Sequence, residues 1–536
     1  MTTHSKHKYL IIGAGPGGLQ LGYYLQKSGR DYLILESGEC AGKRFQQYPR
    51  HGQLISINKV YTGYDDPEVN LRWDWNSLLC DGESDVLFKH YSQEYFPKNE
   101  ALLEYLDKFS EHYQLNVKYK TSIVNISREG DIFHVKDNSD HTYIAEQLIV
   151  ATGFSEPYMP PIEGIELAET YGQMSLDLKE YTNKRVLVIG KGNSAFETAD
   201  HLLGATSFIH VCSPNPISMA WTTKYVGHLR AVNNNFLDSY QLKSQNAVLD
   251  ATIKGISKEE DGSYSVSLDY SHADGEKEVI VYDKVILCAG FRFDDSLFDD
   301  TCKPTLSRQD RFPEQTSEWE STNIKGLYFA GVLMHQRDYK KKQSGFIHGF
   351  RYNIHAMHKI LENKYEGQAL PCIQLMLGVS SICEQILYRI NVSSALWQQT
   401  GFLADAIIIR QSDSTADYYS QLPMDYIHEG NIFENYKDTK EIQNQEYLTV
   451  SLEFGAAQAD PFNIQRKPHP DKADDSAFLH PVIKHYKGGE LAAELHLLED
   501  LAGEWKKDVH IDPLKTFIET QLASHLPKQQ VEDKVQ

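Results

Sequence analysis

Apolar positions cluster along this chain into short runs, each closed by glycine and followed by a stretch of helical spacing. Near the N-terminus, Tyr9-Leu10-Ile11-Ile12 runs into Gly13-Ala14-Gly15-Pro16-Gly17-Gly18, and Leu19 to Lys27 then carries apolar residues at helical spacing. A second short strand, Tyr32-Leu33-Ile34-Leu35, ends in Glu36. This is the first half of a βαβ unit. The pattern returns at Arg185-Val186-Leu187-Val188-Ile189, followed by Gly190-Lys191-Gly192-Asn193-Ser194-Ala195, a helical stretch to about Leu203 and the strand Phe208-Ile209-His210-Val211-Cys212. Three further apolar runs close on Gly153, Gly290 and Gly331, the last preceding a loop and a helix from about Gly345.

The order of these runs predicts an α/β fold with two Rossmann-like dinucleotide-binding domains, the second inserted in the first. The expected boundaries are 1–160 for the first part of the outer domain, 161–284 for the inserted one and 285–365 for the return. A mixed α and β region follows over 366–536, in which Cys372 to Ile409 reads as helical and Tyr447 to Phe454 alternates like a strand. The tail after Pro527 is polar and expected to fray.

Composition narrows the function. The chain has 536 residues, 41% of them apolar and 24% charged, as in soluble globular proteins. A formal net charge of -21 argues against a nucleic-acid surface, which needs clustered Lys and Arg. Seven cysteines without a CxxC pair indicate neither a disulfide framework nor a zinc ribbon, and they speak against a relay of electrons through a dithiol. No metal site is expected. Met1 to Lys8 is polar and no stretch reaches 18 apolar residues, so no membrane span is expected and the location is read as cytoplasmic.

The glycines carry the chemistry. Gly13 allows the turn, Gly15 and Gly17 let backbone N–H groups approach a pyrophosphate, and Gly18 permits close packing of helix on strand. Glu36 stands 18 residues after Gly18, where a carboxylate accepts hydrogen bonds from a ribose diol. FAD is expected in this first unit, because a second unit of its own follows. In that second unit Gly190, Gly192, Asn193, Ser194 and Ala195 form the turn, and Cys212-Ser213-Pro214-Asn215 replaces the acid that would repel a 2'-phosphate, which favours NADPH over NADH. Arg44 and Phe45, in Gly42-Lys43-Arg44-Phe45, offer a cation and an aromatic face to the cofactor, and Gly331 closes the returning strand beside it.

Two glycine-rich units in this arrangement resemble the flavin-containing monooxygenases. More specifically, Tyr48-Pro49-Arg50-His51, Leu54-Ile55-Ser56-Ile57-Asn58-Lys59, Trp75-Asn76-Ser77-Leu78-Leu79, Gly192-Asn193-Ser194-Ala195-Phe196-Glu197-Thr198-Ala199 and Gly345-Phe346-Ile347-His348-Gly349-Phe350-Arg351-Tyr352 resemble the FAD-dependent oxidoreductase domain-containing proteins of the endoplasmic reticulum. The likeness extends to Phe478-Leu479-His480-Pro481-Val482. It implies non-covalent FAD, an inserted NADPH domain and, from the monooxygenases, an Asn at the position of Asn58 that protects a C4a-hydroperoxyflavin and contacts the cofactor.

Departures shape the expectation further. The monooxygenase fingerprint has a histidine before the second glycine-rich unit, and Gly172-Gln173-Met174-Ser175 has none. The endoplasmic reticulum relatives carry a signal sequence and a retention tail, whereas this chain ends Asp533-Lys534-Val535-Gln536. Bacterial single-component flavin-dependent halogenases also resemble the architecture, and they imply a lysine that holds a hypohalous species, for which Lys224 and Lys59 are the candidates. Trp73, Trp75, Tyr61 and Tyr64 could line a pocket for an aromatic substrate. The expected function is therefore an NADPH-consuming, FAD-dependent single-component oxygenase. Its hydroperoxyflavin oxygenates or halogenates a small aromatic or phenolic molecule, with molecular oxygen and, for halogenation, halide as co-substrates. The alternative from another class is a quality-control protein that keeps FAD as a structural element.

Overall fold

The computed structural model describes residues 4–81, 86–242, 244–410, 414–436, 445–455, 466 and 468–525, so the polar tail lies outside the described residues. The first strand, His4–Ile12, begins earlier than its apolar core, because parallel pairing to Thr142–Val150 runs from His4↔Thr142 to Ile12↔Val150. On its other side it pairs with Tyr32–Leu35, which in turn pairs with Val117–Lys118. A meander of Ile123–Glu129 and Ile132–Asp137 extends the sheet antiparallel onto the N-terminal half of Thr142–Val150. Leu327–Phe329, which follows the whole second unit in sequence, pairs in parallel with the other half (Leu327↔Leu148). The first sheet is therefore completed only after the chain has built the second.

Burial explains why these strands are apolar without interruption. Tyr9 and Ile11 pack with the helices Pro16–Lys27, Asn99–His112 and Ile347–Glu366, while Leu10 and Ile12 pack into a separate cluster with Phe133, Phe293 and Phe329. A parallel sheet covered on both faces leaves no polar side. The second unit repeats the device. Its five parallel strands run in the order Ala247–Asp250, Phe208–Ser213, Arg185–Ile189, Lys284–Leu287, Glu169–Thr170. Val186 and Val188 face one core and Leu187 and Ile189 the other. A three-stranded antiparallel sheet, Thr252–Lys258, Tyr264–Tyr270 and Glu276–Tyr282, is inserted beside it.

The C-terminal region is a six-stranded antiparallel sheet. Helices Val379–Val392 and Asp508–Gln521 supply Ile382, Ile386, Leu514 and Ile518 to its core. The helical reading of Cys372 to Ile409 holds for Val379–Val392 and Ser394–Gln398 and fails at both ends, where Cys372–Met376 and Leu403–Arg410 are strands. The run Ala406-Ile407-Ile408-Ile409 is buried on both faces of the sheet, and a continuously apolar strand has no period that separates it from a buried helix. Tyr447–Phe454 is a strand as its pattern suggests. Among the described residues, no helix is long and apolar enough to cross a membrane.

Candidate functional site

The turn after the first strand is built so that backbone, not side chain, faces outward. Gly13 has φ +106, and its N–H donates to the Leu35 carbonyl at 2.8 Å. The helix Pro16–Lys27 then starts from Gly15 with no side-chain cap, leaving its first N–H groups free for an anionic group. Glu36 ends the neighbouring strand, 6% exposed. Its carboxylate accepts the Ala14 N–H at 2.8 Å and the Gly38 N–H at 2.6 Å, which fixes the side chain beside the glycine turn.

These groups open into a cavity of ≈ 840 Å³, which runs from Glu36 past Gly13, Gly15 and Gly17 to Gly331 and on to a wall of Trp75, Phe346 and His348. Arg44 and Phe45 line it from the short 3₁₀ turn Lys43–Gln46. The Arg44 guanidinium lies 4.7 Å from both the Tyr48 and the Phe291 ring centroids, and its Nη2 is buried without a hydrogen-bond partner. Burial pulls the Arg44 pKa below its ordinary value. Gly18 stands outside the lining, packed on Gly13, where an added Cβ would meet the Gly13 carbonyl oxygen at 1.9 Å. An uncapped helix start, a pinned carboxylate and an unbonded guanidinium fit the diphosphate and ribose of a dinucleotide.

The second unit enters the same cavity through Tyr171, Asn193, Ser194 and Glu197. Gly190 (φ +125) turns the strand as Gly13 does, and Gly192 starts the helix Asn193–Leu202 without a side-chain cap. Gly190, Gly192 and the fully buried Ala195 do not line the cavity. The Asn193 amide is engaged with its own domain: it donates to the His228 carbonyl at 2.8 Å and accepts the Arg230 N–H at 3.0 Å.

The sequence reading missed a buried cluster where the two units meet. Tyr171 donates to Glu197, and the Tyr171 hydroxyl accepts the Arg50 N–H at 2.8 Å. His51 Nε2 lies 4.0 Å from Glu197 Oε1. Burial raises the Glu197 carboxyl to about 7 and lowers His51 to about 4. The string Tyr48-Pro49-Arg50-His51 was visible in the sequence, but its partners lie more than a hundred residues away.

A second omission concerns the end of the strand Phe208–Ser213 in the inserted unit. The strand Phe208–Ser213 lacks an acid, yet the adjacent strand places Asp250 opposite Ser213. Lys191, its side chain 5% exposed, pairs with Asp250 and donates to the Ser213 and Asn215 carbonyls at 3.0 and 2.9 Å. The acid is present and neutralised.

Both residues expected to be catalytic stand outside this cavity. The Asn58 amide is buried and donates to the Ser92 carbonyl at 2.7 Å, so it ties one loop to another. Lys224 is exposed in a left-handed turn (φ +63) and donates to the Trp221 carbonyl at 3.1 Å. Lys59 is also exposed, over the Trp73 ring. Of the four aromatic residues, Trp75 lines the cavity; Tyr64 stacks on Trp73 and Tyr61 is 80% exposed. No cysteine lines the described cavity, and all seven cysteines are free.

Comparison with known proteins agrees with this architecture. Residues 10–331 match the family described as pyridine nucleotide-disulphide oxidoreductase. The FAD-dependent oxidoreductase domain-containing protein 2 of Mus musculus is 33% identical, over 97% of this chain and 84% of its own length, and that of Danio rerio is 34% identical over the same shares. A flavin-containing monooxygenase from Stenotrophomonas maltophilia shares the fold, with a TM-score of 0.51 at 19% identity, over 67% of this chain and 99% of that one. By its doubly dinucleotide-binding architecture and this near full-length likeness, the chain belongs to the pyridine nucleotide-disulphide oxidoreductases and to the family of FAD-dependent oxidoreductase domain-containing protein 2.

Proposed function

We propose that this FAD-dependent oxidoreductase is an NADPH-consuming single-component oxygenase that uses molecular oxygen on a small aromatic substrate. The observation that carries the proposal is the single cavity into which both glycine-rich units open, with no cysteine in its described lining to take electrons onward. Bound FAD supplies a ring system that accepts hydride and reacts with oxygen. Glu36 would hold the ribose of its adenosine half, and the N–H groups after Gly15 its pyrophosphate, beside Arg44. The uncapped start of Asn193–Leu202 would hold NADPH, with Tyr171 and Glu197 lining the cavity beside it. The pairing of Asp250 with Lys191 supports NADPH over NADH, because the local acid carries no uncompensated charge against a 2'-phosphate.

The apolar wall of Trp75, Phe346, Ile347 and Phe350 suits a flat organic molecule and excludes water from the reaction. Lys224 and Lys59 both lie outside the lining, and for that reason oxygenation is proposed ahead of halogenation. A cytoplasmic location, as read from the sequence, is part of the same proposal.

The test uses the purified holoprotein with NADPH, ¹⁸O₂ and a panel of phenols and indoles. NADPH consumption with one ¹⁸O atom in an organic product supports the proposal. Consumption that yields only hydrogen peroxide with every substrate counts against it. No NADPH consumption at all assigns the flavin a structural role, and bromide-dependent product with a halogen isotope pattern assigns halogenation.

A further inference from the structure

We propose that Tyr225 is a positioning residue for hydride transfer: its buried hydrogen bond to His335 holds the inserted unit in the orientation in which both glycine-rich units open into one cavity. The proposal rests on the reading of FAD in the outer unit and NADPH in the inserted one for the reaction that is positioned; the bond itself is independent of that reading. Tyr225 belongs to the segment that follows the strand Phe208–Ser213 of the inserted unit, and His335 stands just after the strand Leu327–Phe329 of the outer one. The Tyr225 hydroxyl lies 2.9 Å from His335 Nε2, and His335 Nδ1 lies 2.7 Å from Asp338 Oδ1. A carboxylate only accepts, so Nδ1 carries a proton. The Lys340 N–H points at Nε2 from 3.3 Å, which makes that nitrogen an acceptor and the tyrosine hydroxyl its donor. Asp338 accepts the Ser344 N–H at 3.0 Å with its other oxygen. Tyr225 is 8% exposed, His335 4% and Asp338 3%, so water cannot replace a bond lost from this chain.

Both ends of the bond are anchored. On the inserted side, Leu229 is fully buried in the core of that unit and bridges to Met219. Asn193, the first residue of the helix Asn193–Leu202, donates to the Gly227 and His228 carbonyls at 3.2 and 2.8 Å and accepts the Arg230 N–H at 3.0 Å. Tyr225 therefore stands just before the backbone that this helix start grips. On the outer side, Gly345 and Phe346 line the cavity and lie against the pair: a Cβ added to Gly345 would meet the His335 ring at 3.1 Å, and the Phe346 and Tyr225 ring centroids are 6.0 Å apart. The inserted unit is tied to the outer one at a second place, where the Tyr171 hydroxyl accepts the Arg50 N–H at 2.8 Å and Arg50 Nη2 donates to the Met174 carbonyl at 2.7 Å. Two separate attachments fix a rotation that one would leave free. Without the Tyr225 hydroxyl, His335 Nε2 keeps only the longer bond from Lys340.

The experiment compares wild type, Tyr225→Phe and Tyr225→Ala as holoproteins, with FAD content and circular dichroism recorded for each. Anaerobic stopped-flow mixing with NADPH reads the limiting rate of flavin reduction and the nucleotide Kd. Tyr225→Phe is expected to lower the limiting rate about three- to tenfold, the worth of one buried hydrogen bond, with FAD content and Kd within about twofold of the wild type. Tyr225→Ala is expected to lower it further. A merely structural residue would reduce FAD content or folded fraction and leave the rate per bound flavin unchanged. The orientation is read directly by electron–electron double resonance between spin labels carried by p-acetylphenylalanine in place of Lys136 of the outer unit and Lys277 of the inserted one, both exposed. One narrow distance is expected in the wild type and a broadened one in both variants. An unchanged rate per flavin in both variants overturns the proposal, as do several distances in the wild type or a distribution that the variants leave unaltered. A wild type that NADPH does not reduce sinks the nucleotide reading instead, and the distance distributions then decide alone whether Tyr225 holds the unit. Should both variants fold poorly, the wild-type distribution decides: one narrow distance supports the proposal and several overturn it.

Discussion

Gly17 and Gly331 meet backbone to backbone: a Cβ added to Gly17 would lie 2.6 Å from the Gly331 Cα and 2.8 Å from its nitrogen. One residue stands in the first turn of the helix Pro16–Lys27 and the other just after the strand that returns beyond the inserted domain, and both line the cavity. Neither partner is a flexible side chain that could give way. Gly17→Ala is expected to destabilise the fold by about 1–3 kcal/mol and to lower FAD occupancy, read by urea unfolding and the flavin-to-protein absorbance ratio. An unchanged ratio would show that this contact does not shape the cofactor site.

Glu36 holds the Ala14 N–H of the glycine turn and the Gly38 N–H of the loop that follows it, and it lines the cavity. Replacing its carboxyl group with an amide removes one of the two acceptor oxygens and turns an NH₂ group toward one of those donors. Glu36→Gln is expected to weaken FAD binding by about ten- to a hundredfold, measured by reconstitution of the apoprotein. Affinity equal to the wild type would remove Glu36 from the cofactor site.

Glu197 makes stability depend on pH in a definite direction. Its carboxyl is raised from 4.5 to about 7 by burial, so between those values the folded state binds more protons than the unfolded state. Stability from this group is fully present below 4.5 and lost as pH rises through 7. His51, lowered from 6.5 to about 4, acts oppositely over most of that range and masks the effect in the wild type. Glu197→Gln isolates it: relative to the wild type, the variant should gain stability as pH rises from 5 to 7.5, by about 3 kcal/mol at full extent. A difference independent of pH would mean that Glu197 titrates normally.

Lys191 pairs with Asp250 beside the end of the strand Phe208–Ser213, where the proposal puts the ribose of NADPH. Lys191→Ala would leave that carboxylate free to repel a 2'-phosphate and to accept a ribose diol. Anaerobic flavin reduction should then lose about tenfold in its preference for NADPH over NADH. A preference that does not move would place the nucleotide's ribose elsewhere.

What the sequence determined by itself is local. Strand, glycine turn and helix are contiguous, and their signals are hydrophobic runs, positive-φ positions and an acid at a fixed distance. The first turn, Glu36 and the two-unit order were therefore legible, as was the return of the chain at Leu327–Phe329. The doubly buried strand Leu403–Arg410 was not, because a continuously apolar run carries no period.

Tertiary structure decided everything that depends on partners distant in sequence. Asn58 looked like a catalytic and cofactor residue until the fold committed its amide to Ser92, and Lys224 like a catalytic lysine until the fold left it at the surface. Asp250 became the acid beside Ser213 through pairing of neighbouring strands, which no spacing along the chain reveals. Glu197 met Tyr171 through the fold of the inserted unit, and His51 only when the two units packed together. His348 was one residue in a recognisable string; that its two nitrogens are buried without a hydrogen-bond partner follows from which groups the fold brings near them, and the chain order does not contain that information.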